Sequence, residues 1–180
     1  MIKYECDDVY IREILYTDKE ALLDFKQEFD SRGERINGDG GLSRCDTFEE
    51  YMDSIKLYSS KDTVPEGKVP ATQFITIRKS DERVVGIVNV RHYLNDYLVQ
   101  IGGHIGDAVR ASERCKGYAT KQIALAIQYA KDIGIDRVLI TCNANNIASE
   151  KTILKNGGVL ENIIDIDDIK EKRYWIDITK

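Results

Sequence analysis

Gly106-Asp107-Ala108-Val109-Arg110-Ala111-Ser112-Glu113-Arg114-Cys115-Lys116-Gly117-Tyr118-Ala119-Thr120 occupies the junction around which the rest of this chain is organised. A strand is expected before it, from about Gly103 to Val109. After it Ile123, Ala126, Ile127 and Ala130 recur at helical spacing from about Gly117 to Ile133, and Gly134 closes the run. The quoted residues therefore link a strand to a helix. A helix start presents amide N–H groups without intrahelical partners and a partial positive charge, so a diphosphate placed there gains hydrogen bonds and dipole energy together. Gly117 lets the backbone come close, Ala119 keeps the next turn narrow, and Arg114 and Lys116 add full positive charges. Taken alone, such a βα turn is a common arrangement. It is not a nucleotide loop of the G-x-x-x-x-G-K-[ST] kind, because Lys116 precedes Gly117 and the first glycine is missing, and no G-x-G-x-x-G fingerprint is present.

Working outward, Val9 to Leu15 alternates weakly and reads as a first strand. Thr17 and Glu20 have capping-box spacing before a helix carrying Leu22, Leu23, Phe25 and Phe29, with Gly33 as its stop. Gly38-Asp39-Gly40-Gly41 reads as a mobile, exposed loop, and Thr47-Phe48-Glu49-Glu50 opens a second helix. Lys61 to Pro70 holds both prolines and reads as a connector along a sheet edge. From Gln73 the period becomes two, and a hairpin follows around Lys79-Ser80-Asp81-Glu82-Arg83. Val138 to Thr141 is a short buried strand, Asn146 to Asn156 a helix closed by Gly157-Gly158, and Val159 to Ile166 and Arg173 to Ile178 two last strands. The order predicts an α/β (α+β) fold in one domain over residues 1–180: a mixed central sheet of about six to seven strands flanked by about four helices.

Composition narrows the function classes. With 180 residues, 42% hydrophobic and 32% charged, the chain suits one folded soluble domain. A net charge of −5 argues against a general nucleic-acid binder, and no membrane span or export signal is read. Cys6, Cys45, Cys115 and Cys142 are too scattered for a zinc site or a disulfide framework, so no metal is expected and free thiols suit a cytoplasmic location. Asp165, Asp167, Asp168 and Glu171 lack calcium-loop spacing and read as a solvated turn.

Arg114, Gly117 and Ala119 satisfy the pattern Q/R-x-x-G-x-G/A, and Asn146-Ile147-Ala148-Ser149 stands where N-x-x-S/A is expected after the next strand. In these residues and in its element order from about Val9 to Ile178, the chain resembles the GCN5-related N-acetyltransferase (GNAT) superfamily, in a bacterial branch. The resemblance implies that acetyl-CoA is the co-substrate, with its pyrophosphate on Arg114-Cys115-Lys116-Gly117-Tyr118-Ala119-Thr120. It further implies main-chain contacts to pantetheine and acetyl carbonyl near Val109, and Asn146 and Ser149 on the other side. The implied reaction is direct transfer of acetyl to a primary amine of a small molecule or peptide. The alternative is a non-catalytic acetyl-CoA-binding sensor or interaction module. A homodimer is possible; no nucleic acid or membrane partner is implied.

Direct transfer needs a neutral amine, oxyanion donors, a route for the amine's proton and a proton for the departing thiolate. A family tyrosine often supplies the last, but the matching position here is Ile153, which leaves another group, water, or no dedicated acid. For the base, His104 comes first, because it lies on the strand leading to Val109; the other reading makes it a hydrogen-bonded core residue. His92 is either a base or a cap on the hairpin. Asp107 either takes the proton or accepts a substrate ammonium, while Glu113 is expected in the exposed loop. The segments Leu15 to Val69 and Tyr93 to Ile101 should wall the acceptor pocket, and their acidic balance points to a cationic acceptor.

Overall fold

Residues 9–13 extend as expected, but they are paired by a strand that the alternation did not announce. Lys3–Glu5 (β1) lies antiparallel to Val9–Glu13 (β2), with Tyr4 opposite Ile11. The structure, a computed structural model, describes residues 3–166 and 168–179. The first helix, Lys19–Asp30 (α1), starts later than Thr17, and the Thr17/Glu20 box does not form. Asp18 is drawn elsewhere: its carboxylate accepts the Leu15 N–H at 2.7 Å and both Arg12 guanidinium nitrogens at 2.7 Å. An ion pair between strand and turn thus outcompetes a local cap. Phe48–Tyr58 (α2) does carry a box, in which the Thr47 hydroxyl accepts from the Glu50 N–H and the Glu50 carboxylate from the Thr47 N–H.

Ala71–Arg78 (β3) and Arg83–Arg91 (β4) form the expected hairpin, with one register irregularity at Thr76/Ile77. A five-residue helix not foreseen, Asp96–Gln100 (α3), interrupts the segment before Ile105–Val109 (β5). Then come Tyr118–Asp132 (α4), Arg137–Asn143 (β6), Ile147–Lys155 (α5), Val159–Ile166 (β7) and Ile169–Asp177 (β8). The β7–β8 turn is shorter than the charged turn expected from Asp167 to Lys172; Asp167 itself lies outside the described residues.

The α/β class is the one formed, with eight strands among the described residues divided between two sheets. One runs β1-β2-β3-β4-β5 and the other β6-β8-β7. The first sheet is covered on both faces. Phe74, Val85 and Val88 pack under Leu125, Ala126 and Tyr129 of α4; Ile75 and Ile87 pack under Leu22, Phe25 and Phe29 of α1 and Tyr51 of α2. Neighbours Phe74 and Ile75 serve opposite cores because strand side chains alternate, which is why β3 reads as an apolar run. Each such side chain contributes about 1.5–3 kcal/mol on burial.

Candidate functional site

At the mouth of α4 the backbone is built for an external partner. Gly117 is the N-cap residue at φ +87°, so no side chain caps the helix. A Cβ built on Gly117 would meet nothing within 4 Å. Among the described residues the amides of Cys115 to Thr120 make no bond to another part of the chain outside the helix. Cys115, at φ +63°, turns the loop and exposes its thiol. Uncapped amides, a helix dipole and open space at one point suit an anion.

Side chains brace this loop from both ends. Glu113, expected in the exposed loop, is buried and accepts from Arg78 at 2.8 Å, Arg83 at 3.1 Å and Lys116 at 2.8 Å. Burial pushes the Glu113 carboxyl up, but Lys116 and Arg78 outweigh it and hold it below its ordinary value. Arg78 also pairs with Asp81 at 2.7 Å and Arg83 lies 4.0 Å from Glu28, so this is a braced network of alternating charge beside the α4 terminus. Arg114 donates to the Val109 carbonyl at 3.1 Å and pairs with Glu34 above the Phe29 ring. Arg110 is 1% exposed, bonded to Asp24 at 2.9 Å and near Glu28, so α1 is fastened to the same loop.

The strand feeding the loop has a free edge. Gly106 stands opposite Asn89 and Ala108 opposite Ile87, while the Arg110 N–H bonds Val85 and the His104 carbonyl accepts from Arg91. Antiparallel alternation then turns the main-chain groups of Asp107 and Val109 away from β4, toward β6. β5 and β6 share no ladder. What joins the sheets here is His104: its N–H donates to the Leu139 carbonyl at 2.7 Å, and its Nδ1 accepts the Leu139 N–H at 2.9 Å. Gly102 N–H adds a bond to Thr141 Oγ1. Beyond this joint no ladder bond closes the outer edge of β5 against β6.

The three candidate catalytic residues therefore fall in different environments. His104 is 6% exposed, and burial followed by the charge of Arg91 lowers its pKa to about 4. With Nδ1 held by a backbone amide, the ring acts as a structural joint. His92 bonds Thr72 Oγ1 at 2.9 Å and lies edge-on to Tyr129. Tyr129 sits eleven residues along α4 from Tyr118, which is about 16 Å from the helix start at 1.5 Å per residue. Asp107 turns its carboxylate toward α4, where Gln122 Nε2 donates to it at 2.7 Å; burial raises its pKa to about 6. Its main chain lies on the outer edge of β5 and its carboxyl changes charge close to neutral pH.

α5 flanks the same region. The Asn146 side chain caps it by accepting the Ser149 N–H at 3.1 Å, and Asn156 Nδ2 reaches back to the Thr120 carbonyl at 3.2 Å, tying α5 to the first turn of α4. Ile153 is wholly buried in the core. The residue reading missed a cluster behind Ser149: Glu150 accepts from both Lys172 and the Tyr174 hydroxyl, and burial lifts the Cys142 thiol to about 11. These groups meet only when β8 returns beside β6, so linear spacing carries no sign of them.

On the α1/α2 face lies a cleft of about 840 Å³, bounded by residues 35–45, 54–58, 67–73 and 89–102. It includes residues from both segments expected to wall the acceptor pocket. The glycine loop anchors it instead of standing exposed. Gly38, at φ +68°, lies so close to β5 that an added Cβ would be 1.9 Å from the Gly106 carbonyl oxygen; Gln73 Nε2 donates to the Gly38 carbonyl at 2.9 Å, and Gly41 and Leu42 are buried. The cleft thus abuts β5 three residues before Val109. Its charged lining is mostly basic, contrary to the acidic balance of those segments.

A mixed α/β unit whose two sheets part beside an uncapped helix N-terminus has the architecture of an N-acetyltransferase. The chain belongs to the acetyltransferase (GNAT) domain family, whose model matches residues 8–159. No curated protein matches it in sequence. Among solved structures, the ribosomal-protein-S5-alanine acetyltransferase from Vibrio fischeri is similar in fold, with 14% identity and a TM-score of 0.74 over 100% of this chain and 98% of that one. The ribosomal L7/L12 alpha-N-protein acetyltransferase RimL, in complex with coenzyme A, has 14% identity and a TM-score of 0.70 over 96% of both chains. The microcin C7 self immunity acetyltransferase MccE, in complex with acetyl-CoA and AMP, has 20% identity and a TM-score of 0.63 over 96% of this chain and 94% of that one. Among the described residues no helix is long and apolar enough to cross a membrane, and no group of three or more His, Cys, Asp or Glu is placed to hold a metal ion.

Proposed function

We propose that this chain transfers an acetyl group from acetyl-CoA directly to a primary amine. The carrying observation is that the strand whose outer edge is unpaired, β5, leads directly into the uncapped α4 terminus, while a cleft meets β5 from the α1/α2 face at Gly106. The cofactor would supply an activated thioester. The amides of Cys115 to Thr120 at the uncapped α4 terminus would hold its pyrophosphate, with the exposed Lys116 and Arg114 beside them. Main-chain groups of Asp107 and Val109 would align its pantetheine arm and polarise the acyl carbonyl, and α5 from Asn146 to Ser149 would close the other side. CoA complexes of RimL and MccE support this arrangement by fold.

Of the candidate bases Asp107 titrates nearest working pH whereas His104 stays neutral and hydrogen-bonded; the Asp107 carboxylate is held by Gln122 on the α4 face, opposite the Gly106 cleft, so it would take the amine's proton only through water. Ile153 offers no proton to the thiolate, which leaves that task to water or another donor. Release of free thiol from acetyl-CoA in the presence of a primary-amine panel tests the reading. Amine-dependent release with acetylated product supports it. Saturable acetyl-CoA binding with no release across the panel would instead favour the sensor reading.

A further inference from the structure

The cleft on the α1/α2 face carries an excess of positive charge that the rest of the chain leaves uncompensated. Arg35, Arg44, Lys68 and Arg91 line it, and none has a carboxylate within ion-pair distance among the described residues. The lone carboxylate in the lining, Asp39, is committed to its own loop: one oxygen accepts the Gly41 N–H and the other the Ser43 N–H, each at 2.9 Å. On β2, on the β3–β4 hairpin and around the α4 loop the pattern is the reverse. Arg12, Arg78, Arg83, Arg110, Arg114 and Lys116 all have acidic partners.

Arg91 is the most informative of the four. Its Nη1 donates to the Gly102 carbonyl at 2.8 Å and to that of Gly103 at 2.9 Å, which fixes the guanidinium plane. Its Nη2 lies 3.1 Å from where a Cβ on Gly106 would be, on the part of β5 where Gly38 also touches. A half-buried guanidinium held by neutral carbonyls gains little against the loss of its water unless an anion completes it. The volume, about 840 Å³, is that of a small-molecule site, and polar and aromatic groups such as Tyr97 are interspersed with the cations.

Resting on the acetyl-transfer reading, we infer that the acceptor is a small amine that also bears an anionic oxygen group, carboxylate or phosphate, held by Arg91, Arg35, Arg44 and Lys68 while the amine is directed to β5 at Gly106. The four cations raise the local concentration of such a molecule and orient it. A cationic acceptor would meet like charge on entry.

The test uses matched amines differing in charge: glycine against glycinamide, phosphoethanolamine against ethanolamine, and an acidic against a neutral tetrapeptide. The expected result is a kcat/KM about tenfold or more higher for the anion-bearing small amine. The pair that responds more identifies carboxylate or phosphate as the group. Arg44→Gln and Arg35→Gln, both at exposed side chains, should raise the KM of the anionic amine several-fold more than that of its neutral counterpart. Equal or better use of the neutral amines, or acetylation of peptides only, overturns the inference while leaving acetyl transfer intact. Calorimetric titration with inorganic phosphate and with propionate separates the two readings. If these anions bind, Arg44→Gln weakens them and no amine of any charge is acetylated, the anion site stands and acetyl transfer fails.

Discussion

At the residue scale, burial has moved two neighbours on the same segment in opposite directions. Asp107 is raised to about 6 and His104 lowered to about 4, because in both cases the charged form loses water. For Asp107 the folded state holds the proton more tightly than the unfolded chain, so stability falls as pH rises from about 4 through 6 and stays lost above. Asp107→Asn should therefore be more stable than the parent at pH 7.5 by about 1–3 kcal/mol, the difference disappearing near pH 4 in urea titrations. If Asp107 is the base, the same variant loses roughly 10²-fold in kcat and the rise of rate through about pH 6. For His104 the folded state disfavours the proton, so stability is complete above about 6.5 and falls as pH drops toward 4. His104→Ala strands the Leu139 amide and should cost about 1–3 kcal/mol without changing the pH–rate profile. A shifted profile would return His104 to the chemistry.

At the scale of elements, two glycines with positive φ carry opposite consequences. Gly117 caps α4 beside empty space, so Gly117→Val should cost only about 1–2 kcal/mol of stability from its left-handed backbone while weakening acetyl-CoA about tenfold or more. Gly38→Ala instead drives a Cβ onto the Gly106 carbonyl and should raise the acceptor KM and lower the melting temperature, with acetyl-CoA affinity little changed. A calorimetric titration of both variants distinguishes them; a Gly38→Ala protein that loses cofactor affinity as fully as Gly117→Val would merge the two clefts into one. The contrast also shows what a linear reading can reach. The junction of strand, loop and helix was legible because its parts are contiguous: α4 came within a residue of its observed ends, and β7 matched at both. β1 and α3 escaped because three and five residues give no usable period. The start of α1 was misplaced because Arg12 claims Asp18. The glycine loop looked exposed because nothing local reveals that Gly106 lies against it. The division into two sheets was illegible for the same reason, since His104 decides it by bonding a residue 35 positions away.

For the molecule as a whole, a net charge of −5 coexists with a cleft whose charged lining is mostly basic. The total says nothing about where charge gathers: the charged lining of this cleft is Arg35, Arg44, Lys68, Arg91 and Asp39. It also says nothing about how the two sheets hold together, which bears on a last prediction. Among the described residues, the segment leading into β5 is hydrogen-bonded to β6 by the His104–Leu139 pair and the Gly102–Thr141 bond, with Asn156 adding one strut from α5 to α4. A ligand gripped at once by α4, the edge of β5 and the start of α5 bridges the two sheets. It binds the folded chain and not the unfolded one, so acetyl-CoA at about a hundred times its dissociation constant should add about 2.7 kcal/mol. For a chain of this length that is about 5–10 °C in melting temperature. Hydrogen exchange should slow at the amides of Asp107 and Val109 and through the first turn of α4, and hardly at β1 or β2. Gly117→Val at the same ligand concentration should show neither effect. A thermal shift that leaves those amides unprotected would mean the carrier binds somewhere other than between the sheets.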